Sequence, residues 1–220
     1  MSEPERIGDT AVIDDMRAAV ARRAAAADED IRLAEDRAAA QALLGRLTGV
    51  RETRWRDLIP RKFWHATVTD LEGDARDAAD RWVIGGMAAN VILLGPTGVG
   101  KSHTAVALAR AAFDAGMTVR FVSTVEILEG LRPGGGVRWR PDRVDVLILD
   151  DLGVEKPTDW SGATLDGIID RRWKDDRPTI VTSNLDATEL EMHVGPRLWS
   201  RLYDGAVRHR VVGDDRRKQA

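Results

Sequence analysis

Cysteine is absent from this 220-residue chain, which excludes disulfides, thiolate metal sites and cysteine nucleophiles and suits a reducing cytoplasm. No apolar run is long enough to span a bilayer, and the opening MSEPERIGDT lacks the basic-then-apolar order of a signal peptide. The expectation is a cytoplasmic protein with no membrane partner. An excess of one charge is missing too: the net charge is −3, and no global field demands nucleic acid. Residues 1–80 carry 13 Lys/Arg against 17 Asp/Glu, and residues 81–220 carry 20 against 19, so any nucleic-acid contact must come from a local patch. No internal repeat is visible. What remains is a globular composition, 43% hydrophobic and 31% charged, with room for one α/β domain and an appendage.

The stretch Asn90–Thr104, NVILLGPTGVGKSHT, organises the rest. Val91-Ile92-Leu93-Leu94 is too short for a helix and continuous enough for a strand buried on both faces. Gly95-Pro96-Thr97-Gly98-Val99-Gly100-Lys101-Ser102 fits G-x-x-x-x-G-K-[ST] at every fixed position, and an Ala/Leu-rich helical pattern runs from Lys101 to Asp114. The glycines let backbone N–H groups turn inward onto a polyphosphate, and the helix N-terminus adds its partial positive charge. Lys101 reaches the β- and γ-phosphates and the Ser102 hydroxyl ligates Mg²⁺. The strand before and the helix after set this apart from a chance Gly-rich turn. The chemistry is that of a nucleoside triphosphate site.

Residues 11–48 have a helical period: Ile13, Met16, Val20, Ala24, Ala27, Ile31, Ala34 and Ala38 recur at spacings of three and four. The seam is mostly alanine and needs a partner, and Asp28-Glu29-Asp30 leaves one rod or a hairpin open. Residues 46–64 then set Arg46, Arg51, Arg54, Arg56, Arg61 and Lys62 among Trp55, Phe63 and Trp64. Such a stretch can hold a phosphate backbone and stack bases, or it can be a linker whose aromatics dock on the core. Docking is the favoured reading. Residues 70–84 read as a short helix, and strands are expected at Thr118–Val122, Val144–Asp150, Thr179–Ser183 and Val207–Val212, each after a helix. That alternation implies a parallel sheet with helices on both faces. Gly134-Gly135-Gly136 reads as a flexible loop.

Two further strand ends complete a hydrolytic set. Val146–Asp150 ends in Asp150-Asp151, 49 residues after Lys101, and in a parallel sheet both strand ends face the same side. Phosphoryl transfer to water needs a metal near the phosphates and a group that orients the water. Asp150 is assigned to Mg²⁺ and Asp151 to the water; Asn184, at the tip of Thr179–Ser183, is placed to bond the γ-phosphate or the water. Arg197 and Arg201 lie four apart, on one helix face. Either could reach the γ-phosphate on a neighbouring subunit, or pair with surface acids.

With these residues in hand, the chain resembles the AAA+ ATPases of the DnaC/IstB group over residues 58–213. Leu58–Thr67 looks like the group's "IP-x-R-[YF]-x-x-A" lead-in, Gly95–His103 its Walker A, LILDDLG its Walker B, VTSNL its sensor 1 and Ser200-Arg201-Leu202 its arginine finger. The resemblance implies a P-loop α/β fold of AAA+ type. Its five-stranded parallel sheet would have the order 5-1-4-3-2, with no lid after residue 213. It also implies ATP, Mg²⁺ and assembly in a ring or spiral, with Arg201 acting in trans. His103 joins the nucleotide-binding stretch on the same ground. Residues 1–50 would be a helical arm gripping a replicative helicase, 51–80 a basic lead-in and 81–220 the ATPase domain, with single-stranded DNA as a further partner. The segment between strands two and three, which contacts DNA in relatives, is short and Gly-rich here. The expected function is helicase loading coupled to ATP hydrolysis. A transposition helper is the alternative, and a small-molecule kinase or a non-hydrolysing adaptor lies further off.

Overall fold

Three apolar runs, each flanked by turn or cap residues, form buried strands, and two mixed runs make the edges of the sheet. They are β1 (Val91–Leu94), β2 (Val119–Ser123), β3 (Val146–Asp150), β4 (Thr179–Ser183) and β5 (Val207–Arg210). The computed structural model describes residues 29, 32, 36–136 and 139–215. All four pairings are parallel and the order is β2-β3-β4-β1-β5, which is the expected 5-1-4-3-2. β3 and β4 are buried at every position, as central strands covered on both faces must be, whereas edge strand β5 alternates half-buried and exposed. β3 begins two residues later than expected because the Val144 carbonyl is taken by the Arg172 guanidinium. β2 runs one residue further, to Ser123, which also caps the next helix.

The chain divides into two compact units, Met1–Arg54 and Trp55–Ala220. In the first, most of the helix expected over 11–48, and the rod-or-hairpin question with it, lies outside the described residues. Residues 36–58 are helical (α1), so the helix continues past residue 48. Thr48 and Thr53 return their hydroxyls to the Leu44 and Gly49 carbonyls at 2.8 and 3.0 Å, and Pro60 bars continuation.

The second unit is layered. On one face of the sheet lie α2 (Gly73–Ile84) and α3 (Lys101–Asp114), with Val91, Leu93, Val146, Ile148 and Ile180 beneath them. Trp55, Ile59 and the 3-10 turns Arg61–Phe63 and Val68–Asp70 belong to that layer. Trp55 is fully buried against Phe113, at 5.3 Å between ring centroids, and its indole donates to the Trp64 carbonyl. Arg56 and Arg61 lie over the Trp64 ring and Lys62 over Phe63. The aromatics from Trp55 onward are therefore docked on the core with cations over their outer faces. The opposite face carries α4 (Thr124–Leu131), α5 (Asp159–Lys174), α6 (Ala187–Val194) and α7 (Pro196–Tyr203). Asn90 fastens the amino end of β1: its amide donates to the Arg201 and Leu202 carbonyls and accepts from Thr179 N–H at 2.8 Å.

Candidate active site

Gly95 leaves β1 so close to β5 that a Cβ would overlap the Val211 carbonyl. Gly98 and Gly100 take φ of 89° and 106°, the left-handed region that L side chains resist. Between them Val99 is buried and pins the loop to the core by its side chain. Gly100, the N-cap of α3, carries no side chain to cap the helix, and the first N–H groups of a helix are a favourable place for an anion. The Asp215 carboxylate rests against Gly98.

Three strand ends converge on that helix start. Lys101 Nζ donates to the Gly95 and Pro96 carbonyls at 2.8 and 2.7 Å and to Asn184 Oδ1, beyond β4, at 2.8 Å. Thr97 donates to the same oxygen at 3.3 Å. Ser102 Oγ donates to Asp150 Oδ1 at 2.8 Å, and Thr182 Oγ1 donates to it at 2.7 Å. Burial pushes the Asp150 carboxyl above the usual carboxylate range, against the pull of the Thr182 and Ser102 hydroxyls. Thr182 also accepts from Asp151 N–H at 2.9 Å, and Asp151 is left-handed at φ 56° without being glycine. His103, in the first turn of α3, acts on the lead-in segment. Its charge helps hold Asp70 low, behind the Thr67 hydroxyl and N–H that do most of it.

Ser102 Oγ and Asp150 Oδ1 are hard oxygens in contact, a donor set suited to Mg²⁺ completed by phosphate and water. Among the described residues no group of three His, Cys, Asp or Glu could hold a metal by itself.

Arg201 and Arg197 are not brought to this cluster. Arg201 Nη2 lies 2.6 Å from Asp170 and Nη1 3.4 Å from Asp166, both on α5, while Arg197 Nε is 3.3 Å from Asp166. The Arg201 carbonyl accepts from Asn90, which precedes β1, whereas the phosphate loop follows β1. The two features stand at opposite ends of that strand, about 13 Å apart at ~3.3 Å per residue.

Thr182 was not foreseen from the sequence. Its signal is period two: from Val181 and Ser183 it is the residue turned towards β3's terminal acid. Two clefts adjoin the loop as well. One of about 340 Å³ lies on the α3 side between Asp70, Leu71, Thr104, His209 and Val211. The other, of about 720 Å³, lies on the opposite face of the sheet among Leu94, Leu185, Trp199 and Tyr203. Burial pulls the His209 imidazole below its ordinary pKa, so it is neutral at pH 7.

The family model described as IstB-like ATP binding protein matches residues 78–212. A protein of Mycobacterium tuberculosis named as an insertion-sequence ATP-binding protein is 39% identical over 113 residues, 49% of this chain and 44% of that one. The replicative helicase loader DnaC of Escherichia coli is 26% identical over 125 residues, 53% of this chain and 51% of the loader. The chain thus spans about half the length of these curated relatives. The crystal structure of DnaI superposes with a TM-score of 0.62 at 25% identity, covering 72% of this chain and 94% of that one. No described helix is long and apolar enough to cross a membrane.

Proposed function

The chain belongs to the IstB-like ATP binding protein family, and from that membership we propose that it hydrolyses ATP as an AAA+ switch that delivers a replicative helicase onto single-stranded DNA. One observation carries the hydrolytic part: Lys101 with Asn184 and Ser102 with Asp150 meet at the start of α3, and Asp151 follows Asp150 in the chain. In this reading the α3 N–H groups and Lys101 take the polyphosphate, and Lys101 gives up the Gly95 and Pro96 carbonyls to do so. Ser102 and Asp150 would hold Mg²⁺, which when bound neutralises phosphate charge. Asp151 orients the attacking water and takes its proton, and Asn184 bonds the γ-phosphate. The base goes to the cleft beside Thr104 and His209, since Thr104 lies one turn along α3 from Lys101.

Arg201 acts in trans. Its place at the far end of β1, where Asp166 and Asp170 hold its partly exposed guanidinium, supports this, because it is remote from its own phosphate loop. Assembly in a ring or spiral follows from a shared site. Residues 1–50 serve as the helicase-binding arm, 51–80 as the lead-in and 81–220 as the ATPase domain.

A second reading, a transposition helper acting on double-stranded DNA, is favoured by the higher identity to the insertion-sequence relative, 39% against 26% for the loader. ATPase assays with Lys101→Ala, Arg201→Ala and their mixture test the site. Each variant alone should lose about 10³-fold or more, and mixing should restore activity, since a Lys101→Ala subunit can lend its arginine to an intact phosphate loop. Undiminished hydrolysis by Arg201→Ala would remove the finger. Stimulation by replicative helicase and single-stranded DNA supports loading; stimulation by transposase and duplex DNA supports the helper. Phosphate passed to a small molecule instead of water would point to a kinase.

A further inference from the structure

Asp151 sits in the left-handed region at φ 56°, which Asp tolerates better than most side chains but still at some cost, and hydrogen bonds hold the loop around it on two sides. On one side the clamp is β4. Asp151 N–H donates to Thr182 Oγ1 and Leu152 N–H to the Thr182 carbonyl, both at 2.9 Å, and Ser183 Oγ donates to the Leu152 carbonyl. Gly153 follows at φ 97°, so near β4's exit that a Cβ would press on the Leu185 side chain.

On the other side stands Glu155. Its Oε2 accepts from Gly153 N–H at 2.9 Å, and its Oε1 meets His193 Nε2 at 2.9 Å. The residue is 9% exposed, and its side chain is nearly enclosed. His193 lies in the last turn of α6, the helix that starts just after Asn184 and leads through Gly195 into α7. Glu155 thus bonds both the loop carrying Asp151 and the helix that follows Asn184.

We infer that Glu155, braced by His193, is a positioning residue for hydrolysis: it holds Gly153 so that Asp151 keeps the strained geometry in which its carboxylate faces the attacking water. This rests on the hydrolytic reading of Asp151. Binding of the nucleotide belongs to α3, Lys101 and Ser102, so Glu155 acts on turnover and leaves affinity alone. A buried carboxylate whose two oxygens each have a partner is suited to that task, because removing it frees the Gly153 N–H and the His193 ring at once.

The test measures kcat and KM for ATP, affinity for a fluorescent ADP analogue and melting temperature, in the full chain, for Glu155→Ala, Glu155→Gln and His193→Ala. Glutamine can still accept from Gly153 N–H through its oxygen and set its amide against His193 Nε2. At temperatures where every variant is folded, Glu155→Ala and His193→Ala should lose about tenfold in kcat, with KM and ADP affinity unchanged, and Glu155→Gln should keep most of the turnover. Unchanged kcat in folded Glu155→Ala would overturn the assignment. So would weakened ADP binding in step with kcat, which would place Glu155 in nucleotide binding. Should Glu155→Ala not fold, Glu155→Gln and His193→Ala decide alone. A wild type that binds ADP but releases no phosphate under any partner condition would sink the hydrolytic reading itself, a different result from a wild type that turns over beside an indifferent variant.

Discussion

Asp150 carries a carboxylate into the interior, 7% exposed, with the Ser102 and Thr182 hydroxyls donating to one of its oxygens. Burial raises its pKa above the ordinary value of 3.8, so the folded state binds its proton more tightly than the unfolded chain does. The stability this group contributes is therefore full below about pH 3.8 and is lost as pH rises through the folded value. At neutral pH the charge opposes folding in the absence of a cation. Asp150→Asn keeps an oxygen able to accept from both hydroxyls and discards the charge. It should abolish hydrolysis yet melt higher than the wild type at pH 7.5, by about 2–4 °C for each kcal/mol gained, with the difference shrinking towards pH 4. Thermal melts across that range check it; a lower melting point at pH 7.5 would mean that the charge is compensated in the apo fold.

At the scale of the element, α5 joins the two ends of the sheet. Its buried Arg172 is 1% exposed and donates to the Pro141, Val144 and Asp145 carbonyls at 2.8, 2.7 and 3.0 Å, to the Pro178 carbonyl, and to Thr179 Oγ1 at 3.0 Å. Burial brings its pKa down to about 9, still well above neutrality, so the guanidinium stays charged and offers all its donors. One side chain thus satisfies the backbone leading into β3 and β4. Arg172→Leu would leave those carbonyls unpaired and should lower stability by about 3–5 kcal/mol, with Arg172→Lys recovering only part because an ammonium cannot fork. Urea unfolding measures this, and a loss under about 1 kcal/mol would show that other donors take over. On its opposite side α5 offers Asp166 and Asp170 to Arg201 and Arg197. Lys174, then Arg201 and Arg197, hold Asp170 below the usual carboxylate range, so it stays ionised and available to an arginine at neutral pH.

Across the whole molecule, the boundary at residue 54 decides what can be removed. Residues 36–51 are exposed, Leu43, Leu44, Leu47 and Val50 among them, whereas Trp55 and Ile59 are buried in the α2–α3 layer. A chain beginning at Trp55 should fold and melt as the second unit does in the full chain. One beginning at Arg61 forfeits Trp55 and Ile59 and should be less stable by about 3–5 kcal/mol or more, the usual result of emptying a large buried site. Circular dichroism melts of the two truncations are enough; equal stability would mean that the tryptophan adds nothing to the core.

The sequence by itself determined what is local. The glycines of the phosphate loop, Lys101 and Ser102 at a helix start, apolar strands ending in Asp150-Asp151 and Asn184, and the α/β alternation all follow from backbone preference, period and spacing, and each reappears where those rules put it. Tertiary structure decided what depends on residues far apart in the chain. Period two gives the face on which Thr182 lies, but only the pairing of β3 with β4 makes it a partner of Asp150, and nothing local marks Glu155 as a partner of His193, 38 positions later. The basic and aromatic run after residue 46 was compatible with nucleic acid or with docking until Trp55 met Phe113 and Trp64. Arg201 was legible as an arginine on a helix, but which end of the sheet it occupies is fixed by Asn90, 111 positions earlier. Local conformational preference is written residue by residue, whereas burial and pairing become defined only once distant segments are packed together.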